Sequence, residues 1–186
     1  MRDYDYNDFP LAYLITFRCY GTWLHGDQRG AYRRSSRLIS GVSWIEPKPE
    51  LEQAEVKQLK HEPVTLNAIQ RSVVDKAVRE VCLQRKYALR AIAVRTNHVH
   101  TVVSAQGQPE PILNAFKSYA TRALRLTKSL PGAIKPWSRH GSTIYLWKER
   151  EVEKAVEYVL AAQDDGFESL WSPPHGRASA PIKEVV

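Results

Sequence analysis

Two apolar periodicities alternate along this chain in the order strand, helix, strand, strand, helix, strand, and that order limits the fold more than any other property of the sequence. Residues 11–23 carry a period of two. Tyr13, Ile15, Phe17 and Cys19 alternate with Leu14, Thr16, Arg18 and Tyr20, and Gly21 ends the run. Residues 66–86 carry the helical period, with Leu66, Ile69, Val73, Ala77 and Val81 as the inner stripe and Thr65 as the N-cap. Two short strands over 88–94 and 99–104 follow, joined through Arg95-Thr96-Asn97. A second helix is expected over 111–128, with Leu113, Phe116, Ala120, Ala123 and Leu124 facing inward. Pro131, Gly132 and Pro136 break the chain before a fourth strand over 142–147. A third helix, from 151 to about 163, would bury Val152, Val156, Val159 and Leu160 and stop before Gly166.

This is the split βαβ order with one helix appended. It predicts an α+β fold of the ferredoxin/RRM-like kind: a four-stranded antiparallel sheet with two helices on one face. The other face is left for a site and for the third helix. A length of 186 residues suits one domain, assigned to 1–166, followed by an extended or partly disordered tail over 167–186 that holds Pro173-Pro174 and Pro181. Between the first strand and the first helix lies a long basic insertion, 24–64, punctuated by Gly26, Gly30, Gly41, Pro47, Pro49 and Pro63. A short helix over 50–59 is its one regular element, and a connection of this length has a function or is partly disordered.

Charge is distributed unevenly. Lys and Arg number 27 against 20 Asp and Glu, a net charge of +7. Residues 111–150 hold eight basic residues (Lys117, Arg122, Arg125, Lys128, Lys135, Arg139, Lys148, Arg150) and one acid, Glu149, so this segment carries the whole excess. Clustered positive charge is the footprint of a polyanionic partner, because neutralising phosphates releases counterions. A solvated basic surface would explain the same composition. No apolar run approaches the roughly 18 residues of a membrane span, and the first residues, Met1-Arg2-Asp3-Tyr4-Asp5-Tyr6, do not read as a secretory signal. Cys19 and Cys82 are too few for a disulfide framework and are not spaced as a metal pair, so buried free thiols in a cytoplasmic protein are expected.

The sharpest local feature is Asn97-His98-Val99-His100 on the third strand. Residues two apart on a strand point to the same face, so the two imidazoles stand side by side, as two ligands of one metal ion require. Two unrelated histidines on a half-polar face would look the same. Tyr158 falls beside the apolar stripe of the third helix; a tyrosine there is ordinarily packing, yet a phenol near a metal-bound phosphate is also a nucleophile. His140 lies in a segment that mixes aromatic and basic residues (Trp137, Arg139, Tyr145, Trp147), as in surfaces that stack single-stranded bases, although the tryptophans would serve equally as core, Trp147 above all. His25 is explained by loop polarity. Tyr145 is the rival nucleophile, disfavoured by its strand context.

Taken together, His98-Val99-His100 on a central strand, the fold order and a tyrosine on a later helix resemble the HUH endonucleases, and among them the single-tyrosine transposases of small insertion sequences and their REP-associated relatives. Phe116-Lys117-Ser118-Tyr119-Ala120-Thr121-Arg122 and the run from Trp137 to Trp147 add to the likeness, which spans residues 13–163. It implies a metal-dependent enzyme that cuts and rejoins single-stranded, hairpin-forming DNA, with His98 and His100 holding Mg²⁺ or Mn²⁺ as a Lewis acid. Tyr158 would be the nucleophile and would leave a 5′-phosphotyrosine and a free 3′-hydroxyl. The resemblance further implies a homodimer, since the nucleophile helix of such proteins can complete the partner's site, and neither a nucleotide cofactor nor a membrane. A polar third metal ligand is expected about one turn after the tyrosine, where this chain has Ala162. Gln163, about 140° around an ideal helix from Tyr158, is the choice, with Asp164 and Glu157 as substitutes. Arg18, Lys117, Arg122, Arg125, Lys128, Arg139, His140 and Lys148 are the candidate DNA contacts.

Two other readings use the same residues. A non-catalytic single-stranded nucleic-acid-binding module would use the sheet but gives the histidine pair no purpose, and no aromatic pair stands on the third strand. A zinc hydrolase needs three strong protein ligands, and no third His or Cys is suitably placed.

Overall fold

The computed structural model describes residues 9–28, 31–34 and 42–161. Their elements are, in chain order, β1 (Ala12–Cys19), β2 (Ala31–Arg34), β3 (Val42–Ile45), α1 (Pro49–Lys57), α2 (Ala68–Gln84), β4 (Ala88–Val94), β5 (His98–Ser104), α3 (Pro109–Leu126), β6 (Trp137–Leu146) and α4 (Glu149–Ala161). They belong to two compact units: one comprises the described chain up to Thr22 and from His61 onward, the other the described residues between Trp23 and Lys60.

In the first unit β1, β4, β5 and β6 form an antiparallel sheet in the order β4-β5-β1-β6. With α2 after β1 and α3 after β5, this is the split βαβ arrangement that the periodicities predict. The alternation of β1 decides its two faces. Tyr13, Ile15, Phe17 and Cys19 point to one side and form a single core with Val99 and Val103 of β5, with Val74, Ala77, Val78 and Val81 of α2, and with Ile112, Phe116, Ala120 and Leu124 of α3. Leu14 and Val102 point to the other side, where α4 packs on β4, β5 and β6. Its buried residues there are Val152, Ala155 and Val159. Cys19 and Cys82 are buried free thiols, and burial pushes Cys19 up to about 12, which leaves it inert.

Several boundaries differ from expectation, each for a local reason. Helix α2 is capped by Asn67 rather than Thr65, because Asn67 and Gln70 form a reciprocal capping box, each side chain accepting the other's backbone N–H at 2.9 Å. The Gln70 side chain also donates to the Ser129 carbonyl at 2.6 Å. The helix face set in this way buries Val74 and Val78 and leaves Ile69 71% exposed, against its expected inward position. In α4 the inner stripe runs through Ala155 between Val152 and Val159, so Leu160, expected to be buried, is exposed. Strand β6 begins at Trp137, five residues before the expected start. It is an edge strand with a register irregularity opposite Phe17 and Cys19, so its first half has no apolar alternation to read.

The second unit takes its described structure from a β2–β3 antiparallel hairpin, where the sequence pattern predicts irregular chain, and from α1, close to the short helix expected there. Gly26, at φ +95°, sits where any side chain would strike the Lys48 carbonyl and the Glu52 N–H at the start of that helix. His25 is tied to Glu55 by its backbone N–H (2.8 Å) and its ring Nδ1 (2.6 Å). The 162–186 segment, including Gly166 and the expected tail, lies outside the described residues.

Candidate functional site

The face of the sheet that carries α4 changes character along the strands. Toward one end it is apolar, with Leu14 and Val102 adjacent in register. Toward the β4–β5 turn its rows become Thr16–His100–Ala93 and then Arg18 beside His98. The turn itself is only Thr96-Asn97, closed by the Arg95 N–H on the His98 carbonyl at 2.8 Å, which sets Arg95 across from His98.

His98 and His100 stand together as their spacing predicts, with ring centroids 4.5 Å apart and planes at 72°. Each ring is oriented through Nδ1: that of His100 meets the Thr16 hydroxyl at 2.7 Å, and that of His98 meets the Asn97 side-chain oxygen at 2.6 Å. A cation between the rings would therefore be met by Nε2, and an outer partner on the second nitrogen is how metal-binding imidazoles are held in place. His100 is buried, and burial first, then the neighbouring His98, Arg18 and Arg95, lowers it to about 3. It stays neutral at physiological pH, the state a ligand requires. Tyr158, half-buried on α4, sets its ring edge-on to His100 with centroids 5.3 Å apart.

Thus the structure gathers four of the residues singled out in the sequence, His98, His100, Tyr158 and Arg18. Thr16, Asn97 and Arg95 complete the cluster and were not singled out. Thr16 and Arg18 are the two polar members of an otherwise apolar strand, a signal present in the sequence, but only the β1–β5 register shows which histidine each meets. Among the described residues no third His, Cys, Asp or Glu joins the pair. Glu157 is exposed, and Gln163 and Asp164 lie outside the described residues.

The other basic candidates are placed elsewhere. Arg122, Arg125 and Lys128 are exposed on or just after α3, a helix on the opposite face of the sheet from the histidines. Arg122 lies over the Tyr119 ring at 4.6 Å, and with Arg125, Ser118, Thr121 and Leu126 it lines an open groove of about 570 Å³. Lys117, an expected phosphate contact, is engaged by β6. Its ammonium is half-buried and donates to the carbonyls of Ser138 and His140, both at 2.9 Å, with Arg139 at 3.5 Å. Burial lowers it to about 8, and it fastens β6 to α3. Arg139, His140 and Lys148 are exposed. The tryptophans exchange their expected places. Trp137 is core, packed edge-on to Phe17 and donating to the Lys117 carbonyl (3.1 Å) and the Thr121 hydroxyl (3.0 Å). Trp147 is 50% exposed and stacks on Tyr145. Tyr145 pairs with Tyr13 in register and so points to the α2–α3 side, its hydroxyl 3.1 Å from the Gln108 side chain, away from the histidines.

No protein-family model and no curated protein matches the chain. Among solved structures, a REP-associated tyrosine transposase bound to a REP hairpin is similar over 86% of this chain and 70% of its own, at 13% identity and a TM-score of 0.47. A protein from Deinococcus radiodurans R1 named provisionally as a transposase is similar over 87% of this chain and 97% of its own, at 12% identity and a TM-score of 0.43. Likenesses this distant say nothing about chemistry, and what this chain does has to be read from its own residues. Among the described residues no helix is long and apolar enough to cross a membrane.

Proposed function

We propose that this protein cuts and rejoins single-stranded DNA, with Tyr158 as the nucleophile and a divalent cation, Mg²⁺ or Mn²⁺, held by His98 and His100. The observation that carries this reading is the phenol of Tyr158 lying against His100 while His98 and His100 stand side by side with their Nδ1 atoms engaged. The two imidazoles suit such a cation, being adjacent, oriented and, for His100, held neutral. When bound there it would polarise the scissile phosphate as a Lewis acid. The third ligand is assigned to Gln163.

In this reading the Tyr158 oxygen attacks phosphorus and forms a phosphate ester, while the bond to the 3′ oxygen breaks and that oxygen leaves as a hydroxyl, taking up a proton. The diester is conserved in the protein–DNA link, so a second 3′-hydroxyl can reverse the step and join strands without a nucleotide cofactor. Half-burial of the phenol on a packed helix keeps it aimed at the cluster. A basic chain and the exposed cations of α3 and β6 fit a polyanionic substrate.

The test compares wild type with Tyr158→Phe on labelled hairpin oligonucleotides carrying single-stranded flanks, with Mg²⁺ or Mn²⁺, on a denaturing gel. A covalent protein–DNA band that requires metal and disappears with Tyr158→Phe is the expected result. A band that survives the substitution assigns the chemistry to another tyrosine. Tight binding with no band on any hairpin makes the chain a binding module.

A further inference from the structure

One buried side-chain polar atom among the described residues has no hydrogen-bond partner, and it belongs to the site: Nε of Arg95. A buried N–H without an acceptor is costly, about 1–3 kcal/mol and more on a charged group, so its position calls for an explanation. Cross-strand geometry supplies one. The closing bond of the β4–β5 turn sets Arg95 opposite His98 on one side, and the β1–β5 register sets Arg18 opposite His98 on the other. Neighbours opposite each other across a sheet share a face about 5 Å apart. His98 is therefore bracketed by two guanidinium groups in one row, with His100 in the next row behind it.

A cluster built from two arginines and two imidazoles attracts an anion, and a guanidinium meets a phosphate with parallel N–H donors.

We propose that Arg95, through its unsatisfied Nε–H, binds a non-bridging oxygen of the DNA phosphodiester that lies against His98 and Tyr158, with Arg18 on the other side of the same phosphate. This rests on the function proposed above and names the group that grips the reacting linkage. The anion fills the site's missing acceptor and brings the negative charge that a divalent cation beside two arginines needs. Arg95 is thus a substrate-binding residue, and its contribution grows where charge develops on phosphorus.

The experiment follows the Arg95 Nε–H resonance by ¹⁵N-correlated NMR in the Tyr158→Phe protein, identified by its loss in Arg95→Lys, during titration with the thymidine oligomer (dT)10. Matched sodium chloride is the control for ionic strength. The expected result is a shift of that resonance with the oligomer and none with salt. A resonance that stays fixed to millimolar (dT)10, whether or not other residues move, overturns the proposal. In parallel, Arg95→Gln is assayed for the covalent product in an otherwise wild-type chain, with a loss of about 100-fold expected from removing one anion-stabilising donor. Arg95→Lys, which keeps charge and loses the fork, is expected to fall between, and it guards against a glutamine variant that does not fold. A shifted resonance with no covalent product from wild type on any hairpin keeps the phosphate site and sinks the nuclease. A covalent product undiminished in Arg95→Gln does the reverse.

Discussion

The two faces of the sheet use the same strands and differ in what every second residue does. On the α2–α3 side each inward position of β1 serves burial: Tyr13, Ile15, Phe17 and Cys19 are all at most 1% exposed. On the α4 side apolar burial covers only half the length, at Leu14 and Val102. The remaining half holds Arg18, Thr16, His98 and His100. One face can therefore be judged by volume alone, whereas the other gives part of its area to groups that destabilise the fold unless partnered. The appended helix makes that tolerable, because it seals the apolar half and sets Tyr158 over the boundary.

The largest effect should come from the first face. Phe116→Ala removes a fully buried ring from α3 and should cost about 3–5 kcal/mol, read from urea unfolding at neutral pH. A cost near 1 kcal/mol would mean that the two helices do not carry the stability assigned to them, and the contrast between faces would fail.

The second effect belongs to the α4 side and depends on pH. Burial and the nearby charges hold His100 at about 3, below its ordinary 6.5. Between these values the unfolded chain binds a proton that the folded chain refuses. The stability from keeping His100 neutral is complete above about 6.5 and declines as pH falls toward 3. For metal-free protein the loss between pH 7 and pH 5 should be about 2 kcal/mol. His100→Asn should flatten the profile by that amount. An unchanged profile in the variant would show that His100 is not the group being titrated, and that the site face is more open to water than its burial indicates.

The same contrast explains what could be read from the sequence. The core face was legible because burial imposes a period, so β1, α2, β4, β5 and α3 emerge from spacing alone. His98 and His100 were legible as a pair because a strand puts residues two apart on one side. Their partners were not. Thr16 and Asn97 act through register and through a two-residue turn, and neither is visible in one strand's pattern. Arg95 reads as a turn residue until the hairpin closes and sets it opposite His98. The tryptophans show the limit from the other direction. Trp137 and Trp147 have the same chemistry in the same segment, and only the Lys117 and Thr121 contacts of α3 decide that the first is core. Most of the basic candidates are close in sequence, yet the sheet separates α3 from the histidines.

The smallest effect on stability should be the most informative about the site. Thr16→Val keeps the β-branched shape that suits a half-buried strand position and removes only the hydroxyl 2.7 Å from His100 Nδ1. Losing one hydrogen bond of this kind should cost about 1 kcal/mol, well below Phe116→Ala. Its effect on Mn²⁺ affinity and on formation of the covalent product should be larger in proportion, about 10- to 100-fold, because the outer partner of a ligating histidine fixes the direction of its other nitrogen. Thr16→Ser, which restores the hydroxyl without the methyl, should recover most of that loss despite packing less well. If the valine variant binds Mn²⁺ and cuts as wild type does, the Thr16–His100 contact is packing with a polar partner, and the two faces of the sheet differ less than their residues suggest. If serine rescues and valine does not, hydroxyl chemistry at Thr16 sets the site apart from the core made by the same strand.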